Sequence, residues 1–316
     1  MYTADSFVGR NVIITGANTG IGFEAALKLI QCNAAKVIIA VRTISKGETA
    51  QWEIESRIGR KGVIEVWQLD MLNYASIKAF ANRVTNELDR LDYAILNAGV
   101  IPASFEQSTY GWETTLQVNT ISTVLLSLLL LPKLKASKRD DAFTPVLELI
   151  SSGTHQRAQL HPEVSDTEQN PLQVYNNASV FSPQAQYGLS KLYLMYCLPH
   201  LVKLADSRVH VFAVCPGATK SDLARNMIAK YPYLKPVLLL MYLFIFKSAE
   251  QGSRIYLSGL MLGDKGNGRF YQYDQIQEPA ALLVGKEAEA RGDRVWSAVV
   301  ETLAKEVEEV KYLAAR

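Results

Sequence analysis

The sequence predicts an α/β fold, a doubly wound parallel sheet with helices on both faces, and three observations point to it. Short β-branched runs recur along the chain. They are apolar without alternation, as strands buried on both faces are, and stretches of helical spacing separate them. The predicted strands are 11–15 (NVIIT), 36–40 (KVIIA), 63–67 (VIEVW), 93–96 (YAIL), 146–150 (VLELI) and 209–214 (VHVFAV). Helical spacing with few breakers fills 20–31, 45–58, 75–89, 110–137 and 185–206. Strand and helix alternating at this pace form right-handed crossovers, and ligands of such sheets bind at the carboxyl ends of the strands. Functional residues are therefore expected just after strands.

With 316 residues, 48% hydrophobic and 20% charged, the chain has the apolar material for a sizeable core. No linker interrupts 10–290, so one Rossmann-type domain is expected over 1–316. Segment 153–184 breaks the rhythm with polar residues and three prolines. It is expected to be a long surface excursion beside the site. The tail 284–316 carries Val299, Leu303, Val307, Val310 and Leu313 at helical spacing, as a packing helix does.

A net charge of +2 without basic runs argues against nucleic acid as a partner. Cys32, Cys197 and Cys215 lie far apart without metal-type spacing, which predicts buried free thiols and no metal. The acid-bearing first ten residues leave no room for a signal peptide's apolar region, so a cytoplasmic protein is expected. The apolar runs 124–131 and 237–246 are each shorter than the roughly 18 residues of a membrane span.

After the first strand comes Thr15-Gly16-Ala17-Asn18-Thr19-Gly20-Ile21-Gly22 and then a helix. Glycines there let backbone approach a pyrophosphate, and helix amides point at it. The spacing is GxxxGxG, not the general dinucleotide form GxGxxG. Directly after the second strand stands Arg42, with Lys46 one helical turn on and no acid between them. That charge balance favours a 2′-phosphorylated cofactor, NADPH/NADP, over one with a bare ribose.

At the other end, Tyr187 and Lys191 stand four residues apart on one helix face, so an ammonium can favour the phenolate. A free tyrosine titrates near ~10, and a unit charge at about 4 Å is worth roughly 4 kcal/mol at an effective dielectric of about 20, or about three pH units. The expectation is a phenol brought toward neutral pH, with solvent reducing the effect. Ser152 and its neighbour Ser151 follow the strand VLELI, at a carboxyl end where function is expected. His155 and His161 lie in the excursion, without an acid or nucleophile at matching spacing.

The ordered set TGANTGIG, VRTISKGE, NAG at 97–99, YGLSK at 187–191 and PGATKSDL at 216–223 resembles the short-chain dehydrogenase/reductase family. The branch typified by retinol dehydrogenases and carbonyl reductases is the most similar, over about residues 8–225. The resemblance implies that Gly16, Asn18, Thr19, Gly20, Ile21 and Gly22 line the phosphate turn and that Asp70 contacts the adenine. It further implies that Asn97, Ala98 and Gly99 support the adenosine ribose, while Pro216, Gly217, Ala218, Thr219 and Ser221 flank the nicotinamide. Ser221 stands where the family often has threonine. Tyr187 would be the proton donor and Lys191 its tuner, also holding the nicotinamide ribose. Ser152, favoured over Ser151, would hydrogen-bond the substrate oxygen, and Asn119 would hold a water in a proton relay with the lysine.

The implied activity is ketone reduction with NADPH, or the reverse, on a bulky apolar small molecule, with a polyketide or terpenoid pathway of specialised metabolism as one setting. A retinoid, steroid or lipid alcohol dehydrogenase, a redox-neutral enzyme and a non-catalytic cofactor-binding protein remain the alternatives. Segment 222–250, with Tyr231, Tyr233, Leu234 and Leu238 and hinge prolines Pro232 and Pro236, is expected to cap the substrate. Its apolar second half would also suit a homodimer contact or peripheral membrane contact.

Overall fold

In the computed structural model the eight strands among the described residues form one sheet, ordered β3-β2-β1-β4-β5-β6-β7-β8. The structure describes residues 2–138, 143–165, 169–220 and 246–315, together with 230 and 233. In chain order the elements are β1 (Asn11–Thr15), α1 (Gly20–Gln31), β2 (Lys36–Val41), α2 (Ile44–Ile58), β3 (Ile64–Gln68), α3 (Tyr74–Glu87) and β4 (Tyr93–Leu96). The helix α4 (Thr114–Ser137) and the strand β5 (Val146–Ile150) follow. After them come α5 (Pro171–Tyr175), α6 (Pro183–Ala205), β6 (His210–Cys215), α7 (Ala249–Leu260), β7 (Phe270–Gln272), β8 (Gln275–Gln277), α8 (Lys286–Glu306) and α9 (Val310–Leu313). Every pairing is parallel except that of β7 with β8.

The strands are apolar on both faces because both faces are covered. Ile13 of β1 joins the core formed with α3, α4, α6 and α8, whereas its neighbours Val12 and Ile14 face the core under α1, α2 and α7. The chain order reverses between β1 and β4, which opens a crevice at their carboxyl ends. The apolar run at 124–131 belongs to α4, whose most apolar window is 89% buried, as suits a core helix walled on all sides.

Three features depart from the sequence reading. The strands β7 and β8 are three residues each and carry polar side chains, too short for a periodic signal. The first turns of α4 are widened into a π-helical segment, Gln117–Ser122, which spacing cannot reveal. The 153–184 segment is no mere surface excursion: His155, Val164, Leu172, Val174 and Tyr175 are buried, the apolar ones in the main core. Its polar residues supply caps and turns, as when Asn170 caps the helix α5 through the Leu172 amide.

Glu148, midway along β5, is fully buried, and neither carboxylate oxygen has a hydrogen-bond partner. A Cβ built on Gly259 would come within 2.9 Å of its Oε2, so α7 seals it in. Burial holds its pKa well above the usual carboxylate range. Because the folded value is raised, the stability of the neutral acid is lost as pH rises above the ordinary carboxylate value. Glu148→Met should therefore stabilise the fold at pH 7 by about 1–3 kcal/mol, the scale of an unsatisfied buried polar group. Urea denaturation should show the gain shrinking toward pH 4, and no gain at pH 7 would refute the argument.

Candidate active site

A cleft of about 610 Å³ runs along the carboxyl edge of the sheet. At its floor, the turn after β1 brings Gly16 and Gly20 into the left-handed region, φ +68° and +63°. A Cβ on Gly22 would lie 2.7 Å from Asn97 Nδ2 and 3.0 Å from Ala17 Cα, so α1 can start this close to β4 only with glycine there. Thr19 at the start of α1 makes no side-chain cap, and no acid occupies the first turn. An uncapped helix start facing a cleft suits a phosphate, as does the donor set that follows.

Arg42 and Lys46 line the far end of the cleft, both exposed and neither in an ion pair among the described residues. Gly47 permits this, since a Cβ there would meet Val66 Cγ1 at 2.4 Å and Val41 Cγ2 at 2.7 Å. The helix α2 thus sits down on β2 and β3 and brings its first turn to the cleft mouth. Asp70 lines the same region, its Oδ1 accepting from the Leu72 amide at 2.9 Å.

Asn97 stitches β4 to β1, its Nδ2 donating to the Thr15 carbonyl at 2.8 Å, while the Ala98 amide donates to Thr15 Oγ1 at 2.9 Å. Its Oδ1 accepts from the Tyr256 hydroxyl at 2.8 Å. Tyr256 lines the cleft 159 residues away in sequence, and no motif announced it. After β6, Pro216, Gly217, Ala218 and Thr219 form another wall, with Gly217 at φ +79°. Ser221 lies outside the described residues, as does most of the 222–250 segment.

The reacting end gathers Ser151, Ser152, Tyr187 and Lys191. The Ser152 side chain is placed to lower the pKa of the Tyr187 hydroxyl, while its Oγ accepts from the Thr154 amide at 3.3 Å. Ser151 Oγ is buried without a partner. Lys191 is buried, and its Nζ donates to the Ile150 carbonyl at 2.6 Å and lies 5.8 Å from the Tyr187 ring centre. Asn119 is fully buried behind the cleft wall, its amide bonded to Val100 N at 2.9 Å, Val100 O at 3.1 Å and Ser190 Oγ at 3.1 Å. A Cβ on Gly99 would lie 3.2 Å from Asn119 Oδ1 and 3.9 Å from Lys191 Nζ, so this glycine brings the two side chains to one spot.

The expected drop of the phenol toward neutral pH does not occur. Burial pushes Tyr187 up to about 12, against a smaller lowering by the nearby Ser152 side chain. Burial likewise pulls the Lys191 ammonium down to about 8. Desolvation is the largest influence on each of the two groups. His155 bonds the Ser152 carbonyl through Nδ1 at 2.7 Å, and burial lowers its pKa.

Comparison with known proteins gives a consistent picture. Residues 10–142 match a family model described as short chain dehydrogenase. Short-chain dehydrogenase/reductase ffsI of Aspergillus flavipes is 36% identical over 310 residues, covering 98% of this chain and 90% of that protein. Short-chain dehydrogenase/reductase phmF of Phaeosphaeria nodorum is 37% identical over 309 residues, covering 97% and 90%. Among solved structures, a putative short chain dehydrogenase from Escherichia coli complexed with NADPH superposes with a TM-score of 0.63 at 23% identity, over 86% of this chain and 99% of that one.

The buried ammonium has a measurable consequence. Because the folded Lys191 titrates near 8 against an ordinary 10.5, its stability contribution is complete above the ordinary value and is lost as pH falls through about 8. Lys191→Met should therefore raise the thermal midpoint at pH 7, and the difference should close as pH rises from about 8 to beyond 10.5. Scanning fluorimetry across that window checks it; a variant less stable at pH 7 would contradict it.

Proposed function

The chain belongs to the short-chain dehydrogenase/reductase family of oxidoreductases, which bind a nicotinamide cofactor, and from that premise we propose an NADPH-dependent reductase acting on the ketone of a bulky apolar small molecule. The observation that carries the reading is the convergence, in one cleft, of Arg42 and Lys46 at one end with Ser152, Tyr187 and Lys191 at the other. Two cations with room for a 2′-phosphate favour the phosphorylated cofactor. The Escherichia coli neighbour complexed with NADPH accords with this choice.

When bound, NADPH supplies a hydride to the carbonyl carbon. Ser152 hydrogen-bonds the carbonyl oxygen and holds it beside Tyr187, whose hydroxyl gives its proton to that oxygen as the alcohol forms. A phenol pushed up to about 12 keeps its proton at neutral pH, which suits a donor. Lys191 stabilises the phenolate left behind, and Asn119 holds the backbone at Val100 and a water that returns the proton. Gly16, Asn18, Thr19, Gly20, Ile21 and Gly22 receive the pyrophosphate, Asp70 the adenine, and Asn97, Ala98 and Gly99 the adjacent ribose. Pro216, Gly217, Ala218 and Thr219 flank the nicotinamide, joined by Ser221.

The apolar side chains Met71, Val100, Ile101 and Ile150 in the lining favour a greasy substrate. A polyketide or terpenoid ketone of specialised metabolism is the setting we assign it. The 222–250 segment is assigned as its cap.

Tyr187→Phe should lower turnover of 2-tetralone, a bicyclic apolar probe ketone, by roughly 10²–10⁴-fold while NADPH binding by fluorescence stays near that of the parent. Substantial residual turnover would remove Tyr187 from the acid role. Arg42→Asp should weaken NADPH by roughly 10–100-fold, the loss of one charge-assisted contact, and leave NADH little changed. Equal affinity of the parent protein for the two cofactors would rule out the 2′-phosphate assignment.

A further inference from the structure

Cys215, the last residue of β6, is buried, and its Sγ accepts three hydrogen bonds. They come from the Gly153 amide at 3.3 Å, the Gly217 amide at 3.3 Å and Gln272 Nε2 at 3.2 Å. Sulfur is a weak acceptor, so the consequence is geometric more than energetic. One atom ties together the turn after β5, the turn after β6, and β7. The β6–β7 register pairs Cys215 with Gln272 and Ala213 with Phe270, so both β7 side chains share the Cys215 face of the sheet.

From that face the two side chains reach the serine turn on both sides. A Cβ on Gly153 would lie 3.0 Å from Gln272 Nε2 and 3.1 Å from Oε1, so the Gln272 amide lies against the backbone that follows Ser152. The Phe270 ring packs edge-on against His155 at 4.6 Å and 88°. His155 Nδ1 is 2.7 Å from the Ser152 carbonyl, which can only accept, so the ring donates there. Gln272 and Phe270 are both buried and neither lines the cleft.

We propose that Gln272 and Phe270 are positioning residues that set where the Ser152 hydroxyl stands, Gln272 through Cys215 and Gly153, and Phe270 through His155. This rests on the reading of Ser152 as the partner of the substrate oxygen. The strand β7 is thereby the backstop of the serine turn. It acts across β6 onto the loop after β5, a span of two interstrand spacings of about 4.8 Å each.

Gln272→Met keeps the length and bulk of the side chain and removes the donor. Hydrogen exchange of the protein without added ligand should show amides 153–157 exchanging at least about 10-fold faster, with 12–24 unchanged, as expected for one released restraint worth about 1.4 kcal/mol. With NADPH and 2-tetralone, kcat should fall by roughly 10-fold while KM and NADPH affinity stay within about twofold, the pattern of a misplaced group. Cys215→Ala should give a similar loss, and the double variant should be no worse than the more damaged single one. Unchanged exchange at 153–157 in a folded Gln272→Met protein, or additive losses in the double variant, overturns the proposal. Should Gln272→Met not fold, Gln272→Leu, which is close in size and also lacks the donor, carries the same readouts. The exchange measurement needs no substrate, so it decides the backstop even if Tyr187→Phe retains turnover and the reductase reading falls.

Discussion

The burial of the Lys191 ammonium against the Ile150 carbonyl constrains everything around the reacting end. A cation taken out of water needs compensation within a few ångströms, and here the compensating dipole is the last carbonyl of β5. The helix α6 is held against the sheet by its buried apolar side chains, and the Lys191–Ile150 contact sets where its charged end stands at the carboxyl edge. Tyr187, one turn earlier on the same helix, is thereby brought to Ser152. Gly99 completes the arrangement, because a side chain there would press on Asn119.

The same edge is crowded by design of its backbone. Gly22 and Gly47 each stand where a Cβ would strike a neighbour, and each lets a helix start directly beside the strand it follows. Tyr256 and Asn97 then lock α7 to β4 across the cleft floor. The π-helical turn of α4 serves the other wall. It places Asn119 so that its amide answers both backbone groups of Val100, as a neighbouring strand would. The loop after β4, which has no ladder partner of its own, is held in this way.

Burial also decides the acid–base character of the site. A tyrosine and a lysine on one helix face suggest an ion-pair-tuned phenolate. In the folded chain both groups are desolvated, which raises the phenol and lowers the ammonium. At neutral pH both groups thus hold their protons, the phenol firmly and the ammonium weakly. Such a site carries strain in stability that a surface pair would not.

The first six strands and the helices between them were legible in the sequence, because parallel strands buried on both faces leave apolar runs and crossover helices leave their own period. The glycine turn, Arg42, Ser152 and the Tyr187–Lys191 pair were legible too, since each sits where a strand ends or on one helix face, and all of them line one cleft. Tyr256, Cys215 and Gln272 were not, for their importance lies in what they touch 50 or more residues away. The short strands β7 and β8 and the π-turn lack any period long enough to read. The sequence determines residue type and local spacing; only tertiary packing decided how far water is excluded from Tyr187 and Lys191, and so how firmly each holds its proton.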